Sequence, residues 1–245
     1  MKRLEKKHPL AIRWLHWINF PLLFVMTWSG LLIYWSNSVY RVGFGEHTLF
    51  HFFPQGFFDA FGIGHRLAEG MALHFFFMWF FAINGVLYVL YTAVSGEWRY
   101  LVPNLHSFKE AMQVTLHDLH LSKYHPPRRK FNGAQQIAYT GVILMGAGSL
   151  LTGLSIYKPV QFAWLTTILG GYEWARWEHF WLTISYVLFF VVHVVQVIIA
   201  GWNNFRSMVT GYEIVPVDVA PIADHAGDDS SSSSSSSADA KGAAA

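Results

Sequence analysis

The chain has 245 residues, 53% of them hydrophobic and 13% charged, with a mean hydropathy of +0.30 and a formal net charge of +2. That balance is a membrane composition and excludes an ordinary soluble domain; nothing in it calls for a nucleic-acid partner. The absence of cysteine excludes disulfides, iron–sulfur ligation, thiolate catalysis and covalent haem attachment through CxxCH, so any iron–sulfur group belongs to a partner.

In chain order, a basic start (Lys2, Arg3, Lys6, Lys7) leads into an apolar run from Leu10 to Trp35. The run is too long for a cleaved signal and no small-residue cleavage site follows, so it reads as a retained first helix. Three further runs, Met71–Val94, Ala134–Tyr157 and Trp174–Phe205, reach the length of about 20 residues that a bilayer crossing needs. The expected fold is all-α, an integral membrane four-helix bundle over residues 1–215. The loop Asn37–Gly64, rich in Phe and Gly, is expected to rest on the membrane or meet a partner. Ser107–Leu121 carries apolar residues at helical spacing and predicts a short amphipathic helix. Residues 216–245, with a run of eight serines, predict a disordered tail.

Lys and Arg set the orientation. Thirteen of them fall at the termini or between the second and third spans, and only Arg41, Arg66, Lys158 and Arg176 fall on the other side. Both termini and the long middle loop are therefore expected in the cytoplasm.

His179 and His193 lie fourteen residues apart in the fourth span, nearly four whole helical turns, so both share one face about 21 Å apart. An imidazole in hydrocarbon is costly unless something binds it, and two at different depths suggest two stacked haems. His16 matches His193 in depth near the cytoplasmic side, and His74 matches His179 near the outer side. Two imidazoles at one depth on different helices is what axial ligation of one iron requires. His65 is the rival on the second span, but nine residues before His74 it points to the opposite face. The bland reading of any one such histidine is a hydrogen bond between helices. His117 and His120 beside Asp118 form a weak metal pattern on what is expected to be a solvated loop helix.

Arg13 precedes His16 by three residues and Arg176 precedes His179 by three, so each shares a face with its histidine and suits a haem propionate. Snorkelling to the interface explains them equally well, and better explains Arg66. Gly141, Gly146, Gly148 and Gly153 on the third span, with Gly30 and Gly70, allow close approach of a helix or a macrocycle.

On these residues the chain resembles the cytochrome b561-like membrane subunits of respiratory oxidoreductases. These include the cytochrome b subunits of thiosulfate reductase and nickel–iron hydrogenase and the gamma subunit of formate dehydrogenase. The resemblance covers about Lys6 to Tyr212. It rests on HPLAIRWLHWIN and SGLLIYW in the first span, EGMALHFFFMWFFAINGVLY in the second, RKFNGAQQIAY opening the third and WEHFWLTISYVLFFVVHVVQV in the fourth. The likeness is nearest to the thiosulfate reductase type.

The resemblance implies a di-haem b subunit of the bacterial cytoplasmic membrane. Its two haem b groups are held at the positions of His16, His74, His179 and His193, and it moves electrons between a quinone and a partner. That partner is a periplasmic or membrane-attached subunit of iron–sulfur, molybdopterin or nickel–iron type. The quinone is implied near the cytoplasmic haem at the start of the third span, which points to Asn132 and Gln135; helix capping is their other reading. A stand-alone quinone-linked b561-type oxidoreductase and a haem-free membrane anchor are the competing expectations.

Overall fold

The computed structural model describes residues 2–36, 41–44, 47–118, 121 and 130–217. Strand β1 (Lys2–Lys6) leads into α1 (Leu10–Tyr34). A hairpin of β2 (Arg41–Phe44) and β3 (His47–His51) follows, then α2 (Gln55–Phe61). Helix α3 (Leu67–Ser95) returns, and α4 (Trp98–Leu101) and α5 (Leu105–Asp118) precede α6 (Gly133–Tyr157). After α7 (Ala163–Ile168) come α8 (Tyr172–Ala200), α9 (Trp202–Thr210) and β4 (Tyr212–Pro216).

Among the described residues α1, α3, α6 and α8 are long and apolar enough to cross a membrane, as the four predicted runs require. Two span boundaries differ from expectation by four residues or more. The second span begins at Leu67 rather than Met71, with Glu69 in its first turn paired to Arg66 at 2.8 Å. The fourth ends at Ala200 rather than Phe205: Gly201 adopts φ 81°, a conformation that favours glycine, and breaks the helix. Phe205 therefore belongs to α9. The predicted amphipathic helix is α5; residues 119–120 at its expected end lie outside the described residues.

The long helices pack as two pairs, α1 along α3 and α6 along α8. Gly70 is where α3 meets α1, since a Cβ there would come within 2.7 Å of Leu32 Cβ and 3.0 Å of the Ser29 carbonyl oxygen. Gly146 and Gly148 of α6 lie against Tyr186 and Leu182 of α8, so these two glycines serve helix packing. A polar clamp also joins the first pair. Buried Asn84 donates to the Leu15 carbonyl at 3.1 Å and to Asn19 Oδ1 at 2.8 Å.

Each end of the bundle is closed differently. At one end β1 pairs antiparallel with β4, from Lys2 opposite Pro216 to Lys6 opposite Tyr212. Lys7 there donates to Asn204 at 3.0 Å and meets Glu213 at 3.2 Å, while Lys130, just before α6, meets Glu97 at 2.7 Å. At the other end Leu32, Tyr34, Phe58, Ile63 and Phe180 form an apolar cluster, and the Tyr34 hydroxyl donates to the Phe52 carbonyl at 2.6 Å. Phe52, Phe53 and Phe57 pack onto that cluster. This part of the Asn37–Gly64 loop is thus anchored to the bundle, because its aromatic side chains find apolar partners within the chain. Strand β4 carries the ordered chain through Pro216, one residue past the expected domain limit; the tail from 218 onward lies outside the described residues.

Replacing Gly70 with Ala should lower stability by about 1–3 kcal/mol through overpacking. Gly85→Ala, where an added Cβ meets nothing within 4 Å, should be neutral or stabilising. Thermal unfolding of the two variants in detergent checks this; equal melting temperatures would contradict the close α1–α3 contact.

Candidate cofactor sites

Four histidines project into the bundle as two facing pairs. His74 of α3 faces His179 of α8 with ring centroids 6.2 Å apart and ring planes at 72° (the outer pair). His16 of α1 faces His193 of α8 at 5.9 Å and 62° (the inner pair, nearer the β1–β4 end). These are the pairs that depth in the sequence predicts. His65 lies in the turn before α3 with φ 61°, its ring 4.2 Å from that of Trp35.

The separations carry chemical information. A metal–imidazole bond of about 2 Å plus about 1 Å from nitrogen to ring centre, on each side of one ion, gives about 6 Å between centroids. Both pairs match that span. The interhelical hydrogen bond that is the bland reading of such residues is present at both outer rings, to Ser29 and Thr152, and accounts for one nitrogen of each, but it does not account for the facing of the rings.

The outer rings are further fixed at their remaining nitrogen. Ser29 Oγ lies 2.9 Å from His74 Nδ1, and Thr152 Oγ1 lies 2.9 Å from His179 Nδ1. With Nδ1 engaged, Nε2 is the nitrogen left for a metal. Small residues flank both rings: a Cβ on Gly153 would lie 3.4 Å from His179 Cε1, and one on Gly30 3.9 Å from His74 Cε1. Phe189 stacks on His193 at 5.8 Å with planes 11° apart.

Each pair offers two protein ligands, and among the described residues no group of three or more His, Cys, Asp or Glu side chains is placed to hold an ion. Two donors fall short of a structural or catalytic zinc site. They fit an iron that brings four equatorial nitrogens of its own, as in a porphyrin. The pattern weighed at His117 and His120 includes His120, which lies outside the described residues.

The cations sort by end. Arg13 donates through Nη1 to the Thr210 carbonyl at 3.0 Å, while its Nε is buried without a hydrogen-bond partner. Arg206 of α9, which sequence reasoning counted only for orientation, likewise buries Nε and Nη2 without partners. Unpaired guanidinium donors at the β1–β4 end suit a carboxylate brought by a bound group. At the outer end Arg176 reaches Glu173 at 3.3 Å and lies over the Tyr172 ring, and Arg66 pairs with Glu69.

Asn132 and Gln135 form a reciprocal capping box at the start of α6. The Asn132 side-chain oxygen accepts from the Gln135 backbone N–H at 2.9 Å, and the Gln135 side-chain oxygen accepts from the Asn132 N–H at 3.0 Å. Both oxygens serve the cap, which leaves the two side-chain NH2 groups as donors. Ser29 and Thr152 went unnoticed in the sequence, where a lone hydroxyl in an apolar run reads as filler.

The model of the prokaryotic cytochrome b561 family matches residues 7–211. A chain of Azospira oryzae named as a protein-methionine-sulfoxide reductase subunit, YedZ1, is 30% identical over 212 residues, covering 86% of this chain and 99% of that one. No solved structure matches.

His8, just before α1, also escaped the sequence reading. Burial, with the charges of Lys7 and Lys130 and the nearby His16 and Arg13, pushes it down to about 4. It is neutral at pH 7 in the folded chain but takes up a proton below about 6.5 when unfolded. The unfolded state binds more protons between those values, so stability is retained above pH 6.5 and lost as pH falls toward 4. His8→Gln should flatten the decline in melting temperature between pH 7 and pH 4.5; an unchanged slope would contradict the burial.

Proposed function

The chain belongs to the prokaryotic cytochrome b561 family of electron-transferring membrane cytochromes b, and on that premise we propose that it links a membrane quinone to a partner redox subunit through two b haems. The observation that carries the reading is the pair of imidazole pairs, each about 6 Å across, at two depths of one bundle.

His16 and His193 hold the inner haem and His74 and His179 the outer one. When bound, each haem would supply a one-electron iron couple at its own depth. The spacing suits the task. Fourteen residues of α8 separate the His179 and His193 levels by about 21 Å, against a hydrocarbon core of about 30 Å. Arg13 and Arg206 at the inner level, and Arg176 at the outer, are the cations for haem propionates. The half-buried rings sit among apolar and aromatic side chains, so the residues that orient the haems also limit water around them.

The quinone site lies at the start of α6. The NH2 groups of Asn132 and Gln135 donate to a quinone carbonyl while their oxygens keep the helix capped. His8 supports this placing, because Lys130 beside that start and His16 of the inner pair both lie within its electrostatic reach. The excess of Lys and Arg puts the β1–β4 end, and with it the quinone site, on the cytoplasmic side. The partner then meets the opposite, hairpin end. The Azospira relative's name makes a subunit that reduces oxidised protein methionine the leading candidate for that partner. The absence of cysteine fits a division of labour in which iron–sulfur, molybdopterin or nickel–iron chemistry resides in the partner.

Purified chain should contain two b haems, and His179→Ala and His193→Ala should each lose one and keep the other, as read by pyridine haemochrome and α-band spectra. One haem or none in wild type would overturn the reading. Ring planes at 62° and 72° are far from parallel, which predicts strongly anisotropic low-spin ferric EPR signals at both sites. Asn132→Ala or Gln135→Ala should impair quinol oxidation several-fold with haem content intact; loss of haem without a quinone effect would remove them from the site.

A further inference from the structure

The outer and inner imidazole pairs differ in one respect that their ring separations conceal. Both outer rings are hydrogen-bonded through Nδ1 to a hydroxyl on a neighbouring helix, Ser29 of α1 for His74 of α3 and Thr152 of α6 for His179 of α8. Among the described residues neither nitrogen of His16 or His193 has a hydrogen-bond partner. The two hydroxyls are deeply buried, Ser29 at 0% and Thr152 at 2% exposure.

With Nε2 committed to an iron, Nδ1 carries the ring's hydrogen, and the direction of each hydrogen bond follows from counting protons. A hydroxyl has one to give. Ser29 gives its proton to the Met26 carbonyl at 3.1 Å, and Thr152 gives its own to the Gly148 carbonyl at 2.7 Å. Each oxygen is then an acceptor toward the imidazole, so His74 and His179 both carry hydrogen on Nδ1 and a lone pair on Nε2. The chain N–H to O–H to carbonyl is cooperative and pulls the Nδ1 proton away from the ring. A ring so polarised is a stronger electron donor at Nε2 and favours the more highly charged metal.

We propose that Ser29 and Thr152 are positioning residues that fix the tautomer of the outer imidazoles and lower the reduction potential of the outer haem, a control that among the described residues has no counterpart at the inner pair. The proposal rests on the haem assignment above. It makes the two sites electronically unequal although both carry two histidines. The one-electron difference between them is set by hydroxyls in the first and third spans rather than by ligand identity.

Redox titration of the purified holoprotein, following the two α-band components separately, tests it. Ser29→Ala and Thr152→Val should each raise the outer component's potential and leave the inner one in place. A ten-fold rise in the ferrous-to-ferric ratio at fixed ambient potential equals about 59 mV for one electron; each variant should change that ratio several-fold. Ser29→Thr and Thr152→Ser keep the hydroxyl and should restore the wild-type value. Should either hydroxyl-free variant lose the outer haem, retention of haem in its hydroxyl-keeping counterpart still supports the role, whereas equal loss in both shows mere packing and overturns it. Unshifted potentials, or equal shifts of both components, also overturn it. His74→Ala separates the two readings. If it removes one component while the hydroxyl variants shift nothing, only the tuning fails; if it leaves both components, the haem assignment itself fails.

Discussion

An imidazole surrounded by hydrocarbon has two nitrogens and no water, and each nitrogen left unbonded costs free energy that packing alone does not return. The bundle answers that constraint differently at its two levels. At the outer level a buried hydroxyl from the adjacent helix takes each Nδ1 and directs each Nε2 toward the facing ring. At the inner level the rings face one another with aromatic neighbours, and among the described residues no hydroxyl takes either ring's nitrogens. Two rings hydrogen-bonded across helices, within two pairs that face one another across helices, make the helices' relative heights part of the chemistry.

Those heights are held from both ends. The β1–β4 pairing, the Lys7–Glu213 contact and the Arg13 bond to the Thr210 carbonyl tie the start of α1 to the segment after α8. At the opposite end Tyr34 and Phe180 meet in a 5.5 Å stacked contact beneath the Phe-rich segment that follows the hairpin. Between these clasps Gly70 lets α3 settle against α1 near Ser29, the residue that reaches His74. A change of one turn in any helix, about 5.4 Å, would separate a ring from its partner.

Membership of the cytochrome b561 family accounts for why the donor sets stop at two. A porphyrin would bring four nitrogens of its own, and the chain offers beside it two facing imidazole pairs in apolar surroundings. The same economy explains an amino-acid composition with many aromatics and no cysteine. It also leaves the protein's means of tuning to hydrogen bonds at the far side of each ring.

The sequence by itself determined what depends on depth. Hydropathy marks where the chain enters and leaves a bilayer, and position along a span converts directly into height, so His16 with His193 and His74 with His179 were legible as pairs, as was His74 over His65. Gly201 marked the end of α8, yet the apolar residues beyond it drew the expected span on to Phe205. What only the tertiary structure decided depends on azimuth: which face of each helix meets which neighbour. In spans apolar all round, no polar stripe records that angle. Hence the grip of Ser29 and Thr152 on the outer rings, the clamp at Asn84, the orphaned donors of Arg206 and the folding of the outer aromatic segment onto Tyr34 and Phe180 emerged only once the helices were packed.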